Sequence, residues 1–304
     1  MKTVLASFAL LYISVLGLHS SAMAQTSGTA AVRQAITLAQ KGKCSEALPI
    51  LKRAMSQASN KQLQYQTAMM TARCAMSLDQ TDTAVQAILL LNREFSRDPE
   101  VLYTTTHFYS ELASRASQKL AAIAPNSAQA QQLEAEAFES QGNWGKAESQ
   151  YRQILQQTPN TPGIHYRLGR IFLSKDPPDP ENAKKEFEQE LKVDPSDASA
   201  EFMLGETARQ AGQWDEAIAH FSRASQLDEG FLEAFLALGM SLNSAQKFSE
   251  AVAPLEKYVK LEPADPAGHY QLATAYARTG RKPEAEREMA LQREAAAKNP
   301  QQAH

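Results

Sequence analysis

The chain has 304 residues, 43% of them hydrophobic and 21% charged, which supplies ample apolar material for a packed interior. Its 13 glycines and 14 prolines are too few for a fibrous or disordered chain. A formal net charge of -3 leaves no basic field for nucleic acid.

The first 24 residues stand apart. Lys2 gives a positive start, Val4 to Leu18 is an apolar run broken by Ser7, Ser14 and Gly17, and Ala22-Met23-Ala24 offers small residues to a signal peptidase. This pattern predicts a secretory signal peptide cleaved before Gln25. The other reading is an uncleaved anchor. Fifteen helical residues reach only about 22 Å, short of a hydrocarbon core of about 30 Å. The residue directly after the cleavage point is Gln25 and not a cysteine, so a lipoprotein anchor is not expected, and no later stretch approaches transmembrane length. The expected location is the periplasm or the exterior.

Two cysteines are present, Cys44 and Cys74. In an oxidising compartment an isolated pair is a disulfide candidate. The spacing places Cys44 at the start of the second helix of a hairpin and Cys74 near the end of the following helix, so antiparallel packing brings them together. The other reading is two small buried thiols.

From Thr29 to Asn60 the apolar residues Ala35, Leu38, Ala47, Leu51 and Ala54 recur at helical steps, with a break at Gly42-Lys43. A second, weaker copy runs from Gln64 to Ser96, where Ala72 and Ala84 are again twelve apart and the break is Asp79 to Asp82. Asp98-Pro99 opens the next helix, as N-cap and first-turn proline. The aromatic-rich segment Val101 to Ile123 reads as a shortened hairpin ending at Pro125, or as one long helix. Residues 25–125 therefore form degenerate hairpins, and residues 126–300 a regular array.

Through the regular array a single pattern recurs. A column of Ala135, Gly169, Gly205, Gly239 and Ala273 is followed twelve to fourteen residues later by Ala147, Ala183, Ala217, Ala251 and Ala285. Tyr151, Phe187, Phe221, Leu255 and Met289 come four residues after those alanines. The period is 34 residues, lengthened to 36 by the stiff turn Asp176-Pro177-Pro178-Asp179-Pro180, with Pro180 starting a helix. The last helix, from Glu284 to about Lys298, is charged on most faces and suits a terminal cap. Self-similarity at this period signals stacked helical hairpins, none of which buries its apolar stripe alone.

Leu168-Gly169 with Phe172, Gly142 and Gly212 two residues before Trp144 and Trp214, the alanine and aromatic columns, and terminal Pro159, Pro195 and Pro263 resemble tetratricopeptide repeats. The resemblance is strong over Ala128 to Gln292. It implies an all-α, right-handed α-solenoid of about eight hairpins, with a concave groove that holds peptides or other proteins. It also implies the groove-facing residues: Tyr166, Arg167 and Arg170; Phe202, Met203, Glu206 and Arg209; Leu236, Met240 and Asn243; Tyr270, Gln271 and Arg278. Aromatic, Met and Arg side chains are those that protein-binding surfaces enrich. Two residues break the columns. Glu190 stands where the next copy has Ala224, and it is expected to meet Arg170 or Arg209. Glu201 stands where other copies have His165, Phe235 and His269.

No CxxC, HExxH, GxGxxG, Walker-type loop or GxSxG is present, so no enzyme, cofactor or metal site is expected. His165 and His269 share a column, and the plainer reading is one packing role used twice. The leading expectation is a non-enzymatic scaffold that binds a protein or peptide segment. The alternatives are an assembly subunit docking by its convex face or cap, and an enzyme with an atypical site.

Overall fold

The computed structural model describes residues 29–55 and 60–298, so the stretch read as a signal peptide lies outside the described residues. Among the described residues all regular structure is helical: α1 (29–40), α2 (Cys44–Ala54), α3 (Lys61–Ser77), α4 (Thr81–Glu94), α5 (Pro99–Ile123), α6 (Ala128–Ser140), α7 (Trp144–Gln157), α8 (Ile164–Ser174), α9 (Pro180–Val193), α10 (Ala198–Gln210), α11 (Trp214–Leu227), α12 (Leu232–Ser244), α13 (Phe248–Leu261), α14 (Pro266–Arg278) and α15 (Lys282–Lys298). They form two compact units that separate between Lys119 and Leu120, inside α5 and ahead of the boundary expected at residue 125.

The first unit holds the hairpins α1/α2 and α3/α4 and most of α5. Segment 101–123 is not a shortened hairpin. It is one helix of 25 residues, because nothing between Pro99 and Ile123 supplies a chain reversal. The described residues thus contain seven hairpins and one lone helix rather than eight hairpins. Asp98 caps α5, its Oδ1 accepting from the N–H groups of Glu100 and Val101 at 3.0 and 3.1 Å. The core joins Ala72, Ala84, Ile88, Leu91, Val101 and Phe108, all buried.

The second unit is an α-solenoid of five hairpins, α6/α7 to α14/α15, each helix packing on the next in chain order. Its glycine column does more than let backbones approach. A methyl group on Gly169 would stand 2.5 Å from the Phe187 ring, and one on Gly205 would stand 2.7 Å from Phe221. The glycine of the first helix therefore makes room for the ring of the second.

The tight turns repeat one geometry. In α6/α7 the N–H of Asn143 donates to the Phe138 carbonyl while Gly142 is left-handed at φ 69°. Two other hairpins reach that conformation without glycine, at Asp79 (φ 58°) and Gln246 (φ 60°). This is why the break at Asp79 to Asp82 resembles no glycine turn in sequence yet closes in the same way.

Candidate interaction surface

In the second unit two pairs of neighbouring first helices, α6 with α8 and α12 with α14, are tied side to side. Arg167 of α8 donates through Nη1 to Glu139 and through Nη2 to Glu136, both on α6 and both at 3.1 Å. Asn243 of α12 donates through Nδ2 to the carbonyl and the side-chain oxygen of Gln271 on α14, each at 3.0 Å. Arg209 is held by Glu206 of its own helix at 2.8 Å. Arg170 is exposed over the Tyr166 ring, 6.0 Å from its centroid, and Tyr270 is 53% exposed. Tyr166, Met203, Glu206, Met240 and Asn243 are half-buried on the same face.

Three expected groove residues point elsewhere. The Phe202 ring packs between Phe221 and Phe231, with centroids at 5.4 and 4.9 Å, so it serves the core. Arg278 lies over the Phe248 ring at 4.6 Å, beside the hairpin turn. Leu236 also packs against the core cluster. Behind the face, the Tyr151 hydroxyl and Glu139 Oε1 are buried without a partner of ordinary hydrogen-bond geometry. Burial, and then the nearby Glu139 carboxylate, raise the Tyr151 phenol above its usual range.

The column breakers have structural partners. Glu190, buried to 1% exposure, meets neither Arg170 nor Arg209. Its Oε1 accepts from the Gly163 N–H at 2.6 Å and its Oε2 from the Tyr166 N–H at 3.1 Å. Glu201 faces His220 at 2.7 Å, His165 faces Glu186 at 2.7 Å, and His269 faces Glu288 at 2.7 Å. These are one cross-hairpin pair used three times, with its polarity reversed in α10/α11. In the hairpin α12/α13 the same two positions hold Phe235 and Pro254. Among the described residues no group of three or more His, Cys, Asp or Glu is arranged to hold a metal, and no helix is long and apolar enough to cross a membrane.

A groove of about 610 Å³ lies in the first unit, where sequence reasoning named no site, and runs between α3 and α5. Arg73, Met76 and Ser77 line it from α3, and Tyr103, Thr104, His107, Glu111 and Arg115 from α5. Two signals were available to find it. Tyr103, His107, Glu111 and Arg115 recur every four residues, one stripe of a helix. Arg73 and Met76 also follow Ala72 at the same offsets as Glu206 and Arg209 follow Gly205. On α3, Cys74 lies between these lining residues, and in the structure it is joined to Cys44 at the start of α2, with the Cα atoms 4.9 Å apart.

A family model described as tetratricopeptide repeat matches residues 128–171, and a second of that description matches residues 179–230. The chain carries tetratricopeptide repeats. In these terms α6/α7 to α10/α11 are the matched repeats, and α12 to α15 continue their period. A model described as bacterial transcriptional activator domain also matches residues 222–298, which span the end of α11 and α12 to α15. A tetratricopeptide repeat-containing protein, trd-1 of Caenorhabditis elegans, is 27% identical over 151 residues, which is 49% of this chain and 18% of that relative's length. Among solved structures, the crystal structure of MamA is 22% identical with a TM-score of 0.50, covering 55% of this chain and 96% of that one. YrrB, described as a TPR protein with an unusual peptide-binding site, is 20% identical with a TM-score of 0.51, covering 59% of this chain and 92% of its own. These likenesses concern the repeat fold.

Proposed function

We propose that this tetratricopeptide-repeat chain is a non-enzymatic scaffold that holds an extended protein segment along the face built by its first helices. The observation that carries the reading is that face itself. Arg167 ties α8 to α6 and Asn243 ties α12 to α14, and exposed Arg170 and Tyr270 stand on the face beside half-buried Met203 and Met240. Arginine, aromatic and methionine side chains suit protein recognition, and a pre-tied surface loses little conformational freedom on binding. The peptide-binding description of YrrB supports the same use of the fold. The repeats supply positioning and hydrogen bonds, without chemistry at a reacting atom.

The proposal includes export to the periplasm or beyond. The apolar N-terminal stretch ending at Ala24 and the cysteine pair at Cys44 and Cys74 support it. N-terminal sequencing of the protein from its native cell is expected to begin at Gln25; a start at Met1 in the cytoplasmic fraction would overturn export. For the scaffold itself, Arg170→Glu with Tyr270→Ala is expected to abolish capture of the native partner while leaving the thermal melt unchanged. Undiminished capture would shift the reading to docking through the second helices or the terminal cap.

A further inference from the structure

We propose that α5 carries a self-association surface: two copies of this chain pair antiparallel through it, each supplying the helix that the other copy's incomplete hairpin lacks. This goes beyond the scaffold reading and does not depend on it.

The starting observation is an open face. Only Val101, Thr104 and Phe108 of the 25 residues of α5 are buried, whereas α12 and α14, of 13 residues each, both bury seven. Asp98 caps α5 as Asp197 caps α10 and Asp265 caps α14. Four and eight places after the latter two caps stand Glu201 and Gly205, and His269 and Ala273. The second helix covers these places. Glu201 meets His220 of α11, Gly205 makes room for Phe221 of α11, and His269 meets Glu288 of α15. In α5 the same two places hold Leu102, which is 50% exposed, and Thr106, also exposed. The chain turns from α5 into α6, which pairs with α7, so α5 has no second helix of its own. Residues 109–123 include none that is buried, and a helix of that length is marginal in water without a packed face.

The pattern of the face says what fits it. Leu102, Thr106, Tyr109, Ala113, Ala116 and Leu120 follow at steps of four and three, the seam of a helix pair. Tyr109 is 47% exposed, Ala113 and Ala116 are exposed, and Leu120 is half-buried. None of the six is charged, while Glu111 and Arg115 lie off the stripe and hold each other at 2.8 Å. Two copies therefore meet along it without bringing like charges together.

Residue sizes choose the direction. A parallel pair would set Tyr109 against Tyr109 and Ala113 against Ala113, crowding one layer and leaving a gap in the next. An antiparallel pair sets Tyr109 of one copy against Ala113 of the other, Leu102 against Leu120 and Thr106 against Ala116. A ring against a small residue is how the hairpins of the second unit already pack, Phe187 on Gly169 and Phe221 on Gly205. The arrangement is its own mirror under a two-fold axis, so it closes at two copies. The seam is about 27 Å long at helical rise. An interface of one helix pair is small, which makes the dimer reversible.

The test is sedimentation velocity on the intact chain. The expected result is a dimer that dissociates on dilution through the micromolar range. Ala113→Glu, which sets an unpaired carboxylate against each Tyr109 ring, is expected to raise the dissociation constant at least tenfold, as is Tyr109→Lys, with the thermal melt still cooperative. Mixing these two variants is expected to restore a dimer, because the mixed pair has one Lys against Glu layer and one unaltered Tyr109 against Ala113 layer. Arg170→Glu with Tyr270→Ala is expected to leave the dimer intact, which separates this proposal from the scaffold reading. A monomer at every concentration would overturn the proposal and leave the face to a helix of another protein. A dimer unmoved by Ala113→Glu, or no recovery on mixing, would also overturn it.

Discussion

Glu190 Oε1 accepts the Gly163 N–H at 2.6 Å, so a carboxylate from α9 caps the N-terminus of α8. Gly163 is itself the N-cap, left-handed at φ 82°, with no side chain to accept the free N–H groups of the first turn. Glu190 supplies the acceptor from 27 residues away and places negative charge at the positive end of the helix. Glu190→Ala leaves two donors in a buried site without their charged acceptor, and is expected to cost roughly 2 to 3 kcal/mol. Glu190→Gln keeps one carbonyl oxygen and is expected to cost less. Thermal melts check both, and a raised melting temperature for Glu190→Ala would contradict the capping role.

The His–Glu pairs make a second prediction. The pair in α10/α11 runs opposite to those in α8/α9 and α14/α15, so the site accepts either order. Glu201→His alone and His220→Glu alone each place like groups together, and each is expected to cost about 1 to 2 kcal/mol. The double exchange is expected to recover at least half of the summed loss, the non-additivity that a direct contact produces. Strict additivity in urea melts would show that the residues do not interact.

The link between Cys44 and Cys74 closes a loop with a separation of 30 residues and clamps α3 to α2. A bond across a loop of that size stabilises by roughly 3 to 4 kcal/mol in the chain-entropy account. Reduction, or Cys44→Ser with Cys74→Ser, is expected to lower the stability of the first unit by that order and to leave the second unit's transition in place. Non-reduced peptide mapping decides whether the bond forms in the native protein. Two free thiols there would remove it.

Acid weakens the junction of α7 and α8 through Glu148. Burial alone would raise this carboxyl, but Lys175 at 2.5 Å and Arg152 at 2.9 Å outweigh it and hold it below the usual carboxylate range. A group with a depressed native pKa stabilises the fold above its unfolded value and loses that contribution as pH falls through the native one. The melting temperature of Glu148→Gln is therefore expected to lie below that of the wild type at about pH 7 and to converge with it on titration below about pH 4.5. A gap that stayed constant into acid would contradict this origin.

The repeat columns were legible because stacking demands the same sizes at the same places. Gly169 must be small for Phe187 to enter, and the 34-residue period records that demand. Contacts between columns were not legible. Glu190 stands among the other charged residues of α9, and only the folded hairpin shows that it reaches the start of α8. Phe202 and Arg278 occupy groove-like columns, yet one ring found core neighbours and one guanidinium found Phe248. The α3/α5 groove was missed for the opposite reason. Its residues lie beside a turn that lacks glycine, where Asp79 performs the same reversal without the sequence signal.

The most direct measurement is site-specific photo-cross-linking in the native cell, with the probe at Tyr270 on the first-helix face or at Arg223, on the second helix α11. A discrete protein adduct from Tyr270 and none from Arg223 is the predicted result. An adduct from Arg223 alone, or none from either position, would contradict the scaffold account.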